Sequence, residues 1–490
     1  MKINFVSSFE KRKNADCLIV PFWIVKDKKV SLAINLKKFT SLFNMPIHLN
    51  DFGGKEGEAV FIYLPKEKEK RLLLLGLGEK DKLTDEVLRF AYASAVKMCH
   101  SKKIKKANIF IPEGDGFLEP SLEGVALSNY SFDRLRHDVL KENPTVLLEE
   151  IFIIHKQKEY DVNRLKKIVA AVFLARDLVN NNADDETPEK IAETAKEMEK
   201  LNSSISVEIF DKKMIEKEKM GLLLAVNKGS AKEPVFIVAE YKGNPSSKDK
   251  TAFIGKGITY DTGGLSLKPS DKMDTMKSDM AGAATVLALL YLVASLKLKV
   301  NICVLIPLSE NDISATSCKP GDVYFAMSGK SVEIKNTDAE GRLILADAIN
   351  YAVEKVKPNR IIDLATLTGA AIIALGEEIA CLFSNDDELA SKIEVAAKKT
   401  GEHVWRMPLY LEYKKMIKSD IADIKNTGEG GKASSITAAL FLEEFVKKDM
   451  PWAHLDIAGP AFLSGAKRYL PQFATGFGVR LLLKYLESMV

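Results

Sequence analysis

The stretch "SVEIKNTDAEGRLILADAINYAV", Ser331 to Val353, runs from a β-branched segment through a charged turn into a helical pattern. Its apolar positions Leu345, Ala348, Ile349 and Ala352, continued at Val356, keep helical spacing until Pro358 stops the helix. Strand, turn, helix is the repeating unit of an α/β layer, and it recurs on both sides of this stretch. The runs "VFIVAEY", "KTAFIG", "NICVLIPL", "RIIDLAT" and "AHLDIAG" are almost continuously apolar, as strands buried on both faces must be. We therefore expect a larger C-terminal α/β domain with a central mixed, largely parallel sheet flanked by helices. Further upstream, "ADCLIVPFW", "EAVFIYL", "RLLLLGLG", "ANIFIP" and "EEIFIIH" alternate with helical segments, which predicts a smaller N-terminal α/β domain. A chain of 490 residues exceeds one typical core. The expected division is 1–160 for the first domain, 161–180 for a linker helix and 181–490 for the second. Thr187 as N-cap and Pro188 at the first helical position open the second.

Composition narrows the function classes. The apolar share of 46% and charged share of 28% are those of a soluble globular protein, and a net charge of +4 calls for no acidic partner. Five scattered cysteines without a CxxC pair argue for a reducing compartment and against a cysteine zinc site. The N-terminus "MKINFVSSFEKRKNADC" lacks the apolar core of a signal peptide. "MAGAATVLALLYLVASL", Met280 to Leu296, is short for a membrane span and reads as a buried helix. The expectation is a cytoplasmic protein that does not enter a membrane. The basic runs "SKKIKK" (Ser101 to Lys106) and "KEKEKR" (Lys66 to Arg71) give thin support for nucleic-acid binding.

The charged turn holds the chemistry. In an extended segment Asp338 and Glu340 present their carboxylates to one point. Arg342 begins the next helix, where a cation adds to the positive end of the dipole and a bound anion would resolve the conflict. Upstream, "IGKGITYDTGGLSLKP" carries Lys256, Asp261 and Lys268 in a glycine-rich loop. It lacks the spacing of a phosphate loop, and so does "SGKS", where Tyr324 occupies the first glycine position. Asp279 starts the apolar helix. Taken singly, Asp261 suits a turn and Asp279 a helix cap. Taken together, four carboxylates at strand ends must protonate in part unless cations neutralise them. Oxygen ligands with few histidines suit Mn²⁺, Mg²⁺ or Zn²⁺. With no HExxH and no GxSxG, a hydrolase built this way would use metal-assisted water.

"GKGITYDTGGLSLKP", "MKSDMAGAAT", "NTDAEGRLILADA", "DLATLTGA" and "DIAGPA" occur in the order found in the leucine aminopeptidase (cytosol aminopeptidase) family, which this chain resembles over its whole second part. The resemblance implies two divalent ions per subunit, Mn²⁺ or Zn²⁺. Asp261 and Glu340 would bridge them, Asp338 would complete one site, and Asp279 with a neutral Lys256 the other. Lys268 would stabilise the oxyanion of the tetrahedral intermediate. Arg342 would hold a bicarbonate-like proton shuttle. Met276, Thr366, Ala458 and Ala461 would line an apolar pocket for the first side chain, and Leu367 and Gly369 would offer backbone groups to the peptide. The implied activity is removal of N-terminal residues, leucine among the best, in intracellular peptide turnover. A dipeptidase differs only in its pocket. The implied assembly is a homohexamer. Some bacterial members of the family also bind DNA, which keeps an architectural role as the alternative. The glycine-rich stretch Glu429 to Ser435 receives no role.

Overall fold

A computed structural model describes residues 1–25, 29–34, 51–64, 68–114, 116–156, 160–428 and 430–490. His48, Lys66 and Glu67 of the second basic run, and Glu429 lie outside the described residues. The chain divides into one unit of Met1–Val169 with Gly465–Gln472, and another of Ala170–Ser464 with Phe473–Val490.

In the first unit the strands are β1 (Lys2–Val6), β2 (Cys17–Ile24), β3 (Val30–Leu32), β4 (Ala59–Tyr63), β5 (Arg71–Glu79), β6 (Lys106–Phe110) and β7 (Glu150–Ile154). They form a seven-stranded sheet in the order β1-β7-β6-β2-β5-β4, with β3 beside β2. The centre is parallel, and β3 and β4 are antiparallel additions. Leu72, Leu73, Leu74 and Leu75 are all buried, so consecutive residues of β5 fill both faces of the sheet. Helix Asp85–Ser101 packs on it, its first turn capped by the Thr84 hydroxyl. The basic runs are interleaved with acids. Lys105 and Lys106 pair with Glu149 and Glu150, and buried Glu69 accepts from Arg12 at 2.9 Å.

The second unit continues with β8 (Ile205–Phe210), β9 (Val235–Lys242), β10 (Thr251–Gly255), β11 (Gly257–Asp261), β12 (Asn301–Asn311), β13 (Val323–Phe325), β14 (Ser331–Glu333), β15 (Arg360–Ala365), β16 (Ala380–Ser384), β17 (Val404–Arg406), β18 (Ile424–Lys425) and β19 (Trp452–Asp456). The main sheet has nine strands in the order β17-β16-β19-β15-β10-β12-β9-β8, with β11 on β12. Its core, β19-β15-β10-β12, is parallel, while β8, β9 and β16 join antiparallel, so the sheet is mixed and largely parallel. Among the described residues one stretch, Ser270–Leu296, is long and apolar enough to cross a membrane, and 83% of its most apolar window is buried inside the fold. Its helix Ala281–Leu296 lies close on the sheet: a Cβ on Gly282 would stand 2.2 Å from the Leu364 carbonyl. Helix Pro188–Glu197 starts at Pro188 with the Thr187 hydroxyl accepting from the Lys190 amide. Helix Gly341–Tyr351 widens through Ala352–Val356 and stops at left-handed Lys357, just before Pro358. Asp347 in that helix turns its buried carboxylate to the amides of Leu222, Leu223 and Met327, capping helix Gly221–Asn227. All five cysteines are buried, and none forms a disulfide.

Candidate metal and substrate site

Lys256 follows β10, Asp261 ends β11, Thr366 follows β15 and Asp456 ends β19. Parallel neighbours therefore deliver their polar residues to one edge of the sheet, the carboxyl edge where open α/β sheets take ligands. Lys256 is buried, and its ammonium donates to Asp279 Oδ1 at 2.7 Å and the Thr366 carbonyl at 2.9 Å, and pairs with Glu340 Oε1 at 2.9 Å. Asp279 also accepts from the Thr366 hydroxyl at 2.7 Å. This fit depends on Gly341, where a Cβ would lie 2.5 Å from Lys256 Cε. Lys268 bridges the other pair, Asp261 Oδ2 at 2.8 Å and Asp338. Asp261 Oδ1 accepts from Asn311 Nδ2 at 2.7 Å and from the Gly263 amide at 2.9 Å. Gly263 has φ +88°, a conformation that glycine adopts without strain. One oxygen from each of Asp261, Asp338 and Glu340 lies within 4.8 Å of the others.

Two ammonium groups against four carboxylates leave the cluster negative, and the proton affinities reflect it. Burial and the nearby Glu340 charge push the Asp261 carboxyl up to about 6, against the pull of both lysines. Asp279 and Asp338 are raised for the same two reasons, burial first. Glu340 alone is lowered: burial opposes its charge, but the two lysines outweigh it. Lys256 and Lys268 hold their protons more tightly than free lysine, because the carboxylates overcome burial. Asp279 Oδ2 and Glu340 Oε2 are buried with no hydrogen-bond donor. Such an oxygen costs about 1–3 kcal/mol if nothing satisfies it. A residual negative charge and undonated buried oxygens fit hard divalent cations.

The turn itself differs from the extended segment expected from sequence. Residues 337 and 338 form a turn, with the Asp338 amide donating to Asn336 Oδ1 at 2.8 Å, and Glu340 is already helical at φ −78°, ψ −36°. The carboxylates still converge, but a side-chain-stabilised turn brings them together rather than strand alternation. Asn426, wholly buried, holds this turn. Its Nδ2 donates to the carbonyls of Asn336 at 2.7 Å and Ala339 at 3.3 Å, and its Oδ1 accepts the Lys335 amide at 2.9 Å. The Thr337 hydroxyl donates to the Gly263 carbonyl at 2.7 Å and accepts the Ser266 amide at 2.8 Å, locking the turn to the glycine loop. Sequence patterns did not single out Asn311, Thr337, Asn426 or Asp456, because polar residues in turns or at the ends of buried strands carry no periodic signal.

Arg342 is the second residue of helix Gly341–Tyr351 and is buried. Its Nη1 donates to the Asn426 carbonyl at 2.7 Å, while Nε has no partner. Burial lowers its pKa to about 10 against the charges of Glu340 and Asp456. Of the pocket candidates, Leu367 and Ala458 are drawn together because both amides donate to Asp456 Oδ1, at 3.1 and 3.2 Å. The Leu367 N–H is thus taken, which leaves its carbonyl for a peptide. Thr366 and Met276 are half-buried, and the Met276 carbonyl accepts the Asp279 amide at 3.3 Å. Gly369 is exposed at the start of helix Gly369–Leu375, and Ala461 is buried at 3% exposure.

Fold and site together define an α/β enzyme whose carboxylates gather at the carboxyl edge of a mixed sheet, a lining suited to metal-assisted hydrolysis. Comparison with known proteins agrees. Residues 173–483 match the model of the cytosol aminopeptidase family catalytic domain, and residues 19–138 match that of the family's N-terminal domain. A probable cytosol aminopeptidase of Protochlamydia amoebophila is 47% identical, over 100% of this chain and 99% of the relative. A tomato leucine aminopeptidase mutant superposes with a TM-score of 0.87 at 32% identity, over 99% of this chain and 96% of that one. A bottromycin maturation enzyme in complex with Mn superposes with a TM-score of 0.84 at 30% identity, over 97% and 99%. The chain belongs to the cytosol aminopeptidase family, and it is an aminopeptidase.

Proposed function

We propose that this aminopeptidase releases N-terminal residues, leucine and other apolar ones preferred, with two divalent ions held by Lys256, Asp261, Asp279, Asp338 and Glu340. The observation that carries this is the buried cluster of carboxylates that two lysines neutralise only by half, with Asp279 Oδ2 and Glu340 Oε2 left undonated. The Mn-bound structural relative supports Mn²⁺ as one of the ions. When bound, such ions activate water and polarise the scissile carbonyl. With dications beside it Lys256 would be held as a neutral amine, because they would reverse the electrostatics that hold its proton in their absence.

Lys268 is the less enclosed of the two lysines, with a side chain 15% exposed. Its ammonium, paired with Asp261 and Asp338, would face the oxyanion as negative charge develops there. Arg342, with its Nε free of a partner beside a helix N-terminus, would hold a bicarbonate-like anion able to serve as proton shuttle. Thr366, Leu367 and Gly369 follow β15, and with Met276, Ala458 and Ala461 they receive the first residue of the peptide. Domain limits of 1–160 and 181–490, joined by a helix over 161–180, remain our division of the chain. Cytoplasmic peptide turnover accords with five unpaired buried cysteines. Exposed Trp405, Tyr410, Leu411 and Ile421 are apolar side chains of the kind a homohexamer covers. Light scattering measures that assembly directly.

The decisive assay is hydrolysis of leucyl anilide by protein loaded with Mn²⁺. Activity should vanish with a chelator and return with added Mn²⁺. Fully loaded protein that cleaves no aminoacyl anilide would overturn the proposal.

A further inference from the structure

We propose that Asp456 is a positioning residue that sets the shape of the pocket for the first side chain. It does so by tying the loop after β15 to the loop after β19. This rests on the pocket assigned under the proposed function.

Asp456 is 1% exposed and closes β19, beside β15 in the sheet. Its Oδ1 accepts the amides of Leu367 at 3.1 Å, Thr368 at 3.4 Å and Ala458 at 3.2 Å. Its Oδ2 accepts the Thr368 hydroxyl at 2.7 Å. These partners lie on two of the three segments that carry the proposed pocket, Met276 lying on the third, so one carboxylate fixes the spacing between the loops after β15 and β19. A buried carboxylate that takes several N–H and O–H donors holds them rigidly, because each donor released would be buried without an acceptor.

The tie also reaches the reacting centre. Thr366, one residue before the clamped loop, gives its carbonyl to Lys256 and its hydroxyl to Asp279. On the far side, Thr368 caps helix Gly369–Leu375 by accepting the Ala371 amide at 3.1 Å. Among the described residues, the hydrogen-bond partners of Asp456 are Leu367, Thr368 and Ala458, none of them a proposed metal-holding group. Its influence is therefore on where the substrate side chain sits, more than on whether metal binds. Small displacements of a pocket wall change discrimination between side chains that differ by one or two methylenes.

The test uses full-length, Mn²⁺-loaded protein with Asp456→Asn and Thr368→Val. The first keeps the size of the side chain and an acceptor for the amides, but loses the acceptor for the Thr368 hydroxyl. The second removes that hydroxyl and with it the acceptor of the Ala371 amide, so in this variant the tie is read from exchange at residues 366–368. Both should show faster hydrogen exchange in the peptide spanning 365–371, with exchange in helix Ala281–Leu296 and the Mn²⁺ content unchanged. The ratio of kcat/KM for leucyl over alanyl anilide should fall by about 5-fold or more in Asp456→Asn, largely through KM, and by less in Thr368→Val. Altered exchange with an unchanged selectivity ratio would mean that Asp456 is merely structural and would overturn the inference. Unchanged exchange would show that the tie does not hold the loop, with the same consequence. Wild-type protein that cleaves neither anilide would bring down the proposed function and this inference together.

Discussion

The two units of the chain share an architecture and differ in chemistry. In each, parallel strands deliver their ends to one edge. In the first unit Ser7, Ile111 and His155, just past β1, β6 and β7, line a cavity of about 570 Å³ together with Trp23 near the end of β2. The nearby Glu113 carboxylate pairs with Lys156 at 2.7 Å, and Glu79 at the end of β5 pairs with Lys82 at 2.9 Å. In the second unit the residues at or just past the strand ends are Lys256, Asp261, Thr366 and Asp456, and the carboxylates exceed the lysines that neutralise them. An α/β sheet offers the place, and the residues just past the strands decide what happens there. The second edge can hold its charges because glycines admit close approach and asparagines fix the turns, which costs stability that bound cations would restore.

The sharpest way to break this contrast is Asp261→Asn, which should lower kcat/KM by at least ~10³. The same change should raise the Tm of metal-free protein. Burial holds the Asp261 carboxyl up at about 6, so the wild type loses stability as pH rises from the usual carboxylate range to that value, and the neutral side chain does not. Calorimetry at pH 8 should show the gain, and it should shrink toward pH 5. Next in size, Asn426→Ala releases the turn that aims Asp338 and Glu340. A misplacement of that kind costs ~10²-fold in rate, read as kcat/KM at saturating Mn²⁺. Gly341→Ala sets a Cβ against Lys256 and should cost roughly tenfold, with weaker Mn²⁺ binding by calorimetric titration. The smallest effect belongs to the first unit. Glu113→Gln removes an exposed ion pair worth about 0–1 kcal/mol, and activity should stay within about 2-fold. A large loss there would erase the distinction between the two edges.

Much of this was legible in the residues. Apolar runs without alternation announced buried parallel strands, and β5 with Leu72 to Leu75 shows why: both faces are covered. Pro188, Thr187 and Pro358 marked helix limits through backbone chemistry that operates within a few residues. Of the site, the residues alone offered four carboxylates near strand ends that would need cations if they converged, with Asp261 and Asp279 singly suiting a turn and a cap; Lys256 joined them only through the family resemblance.

Local sequence alone determined the strands, the helix starts and the identity of the charged groups, because propensity, capping and charge act over short spans of chain. Tertiary structure decided the rest. Asn426 reaches the turn from 90 residues away, and Asp456 reaches Leu367 from 89. Nothing in the neighbourhood of either residue in the chain signals such a partner. The turn at Asp338 likewise took its shape from Asn336, Asn426 and Thr337, against the extended geometry that spacing alone predicts. Where carboxylates must sit side by side, hydrogen bonds from distant loops set their positions, and only the folded chain brings those loops together.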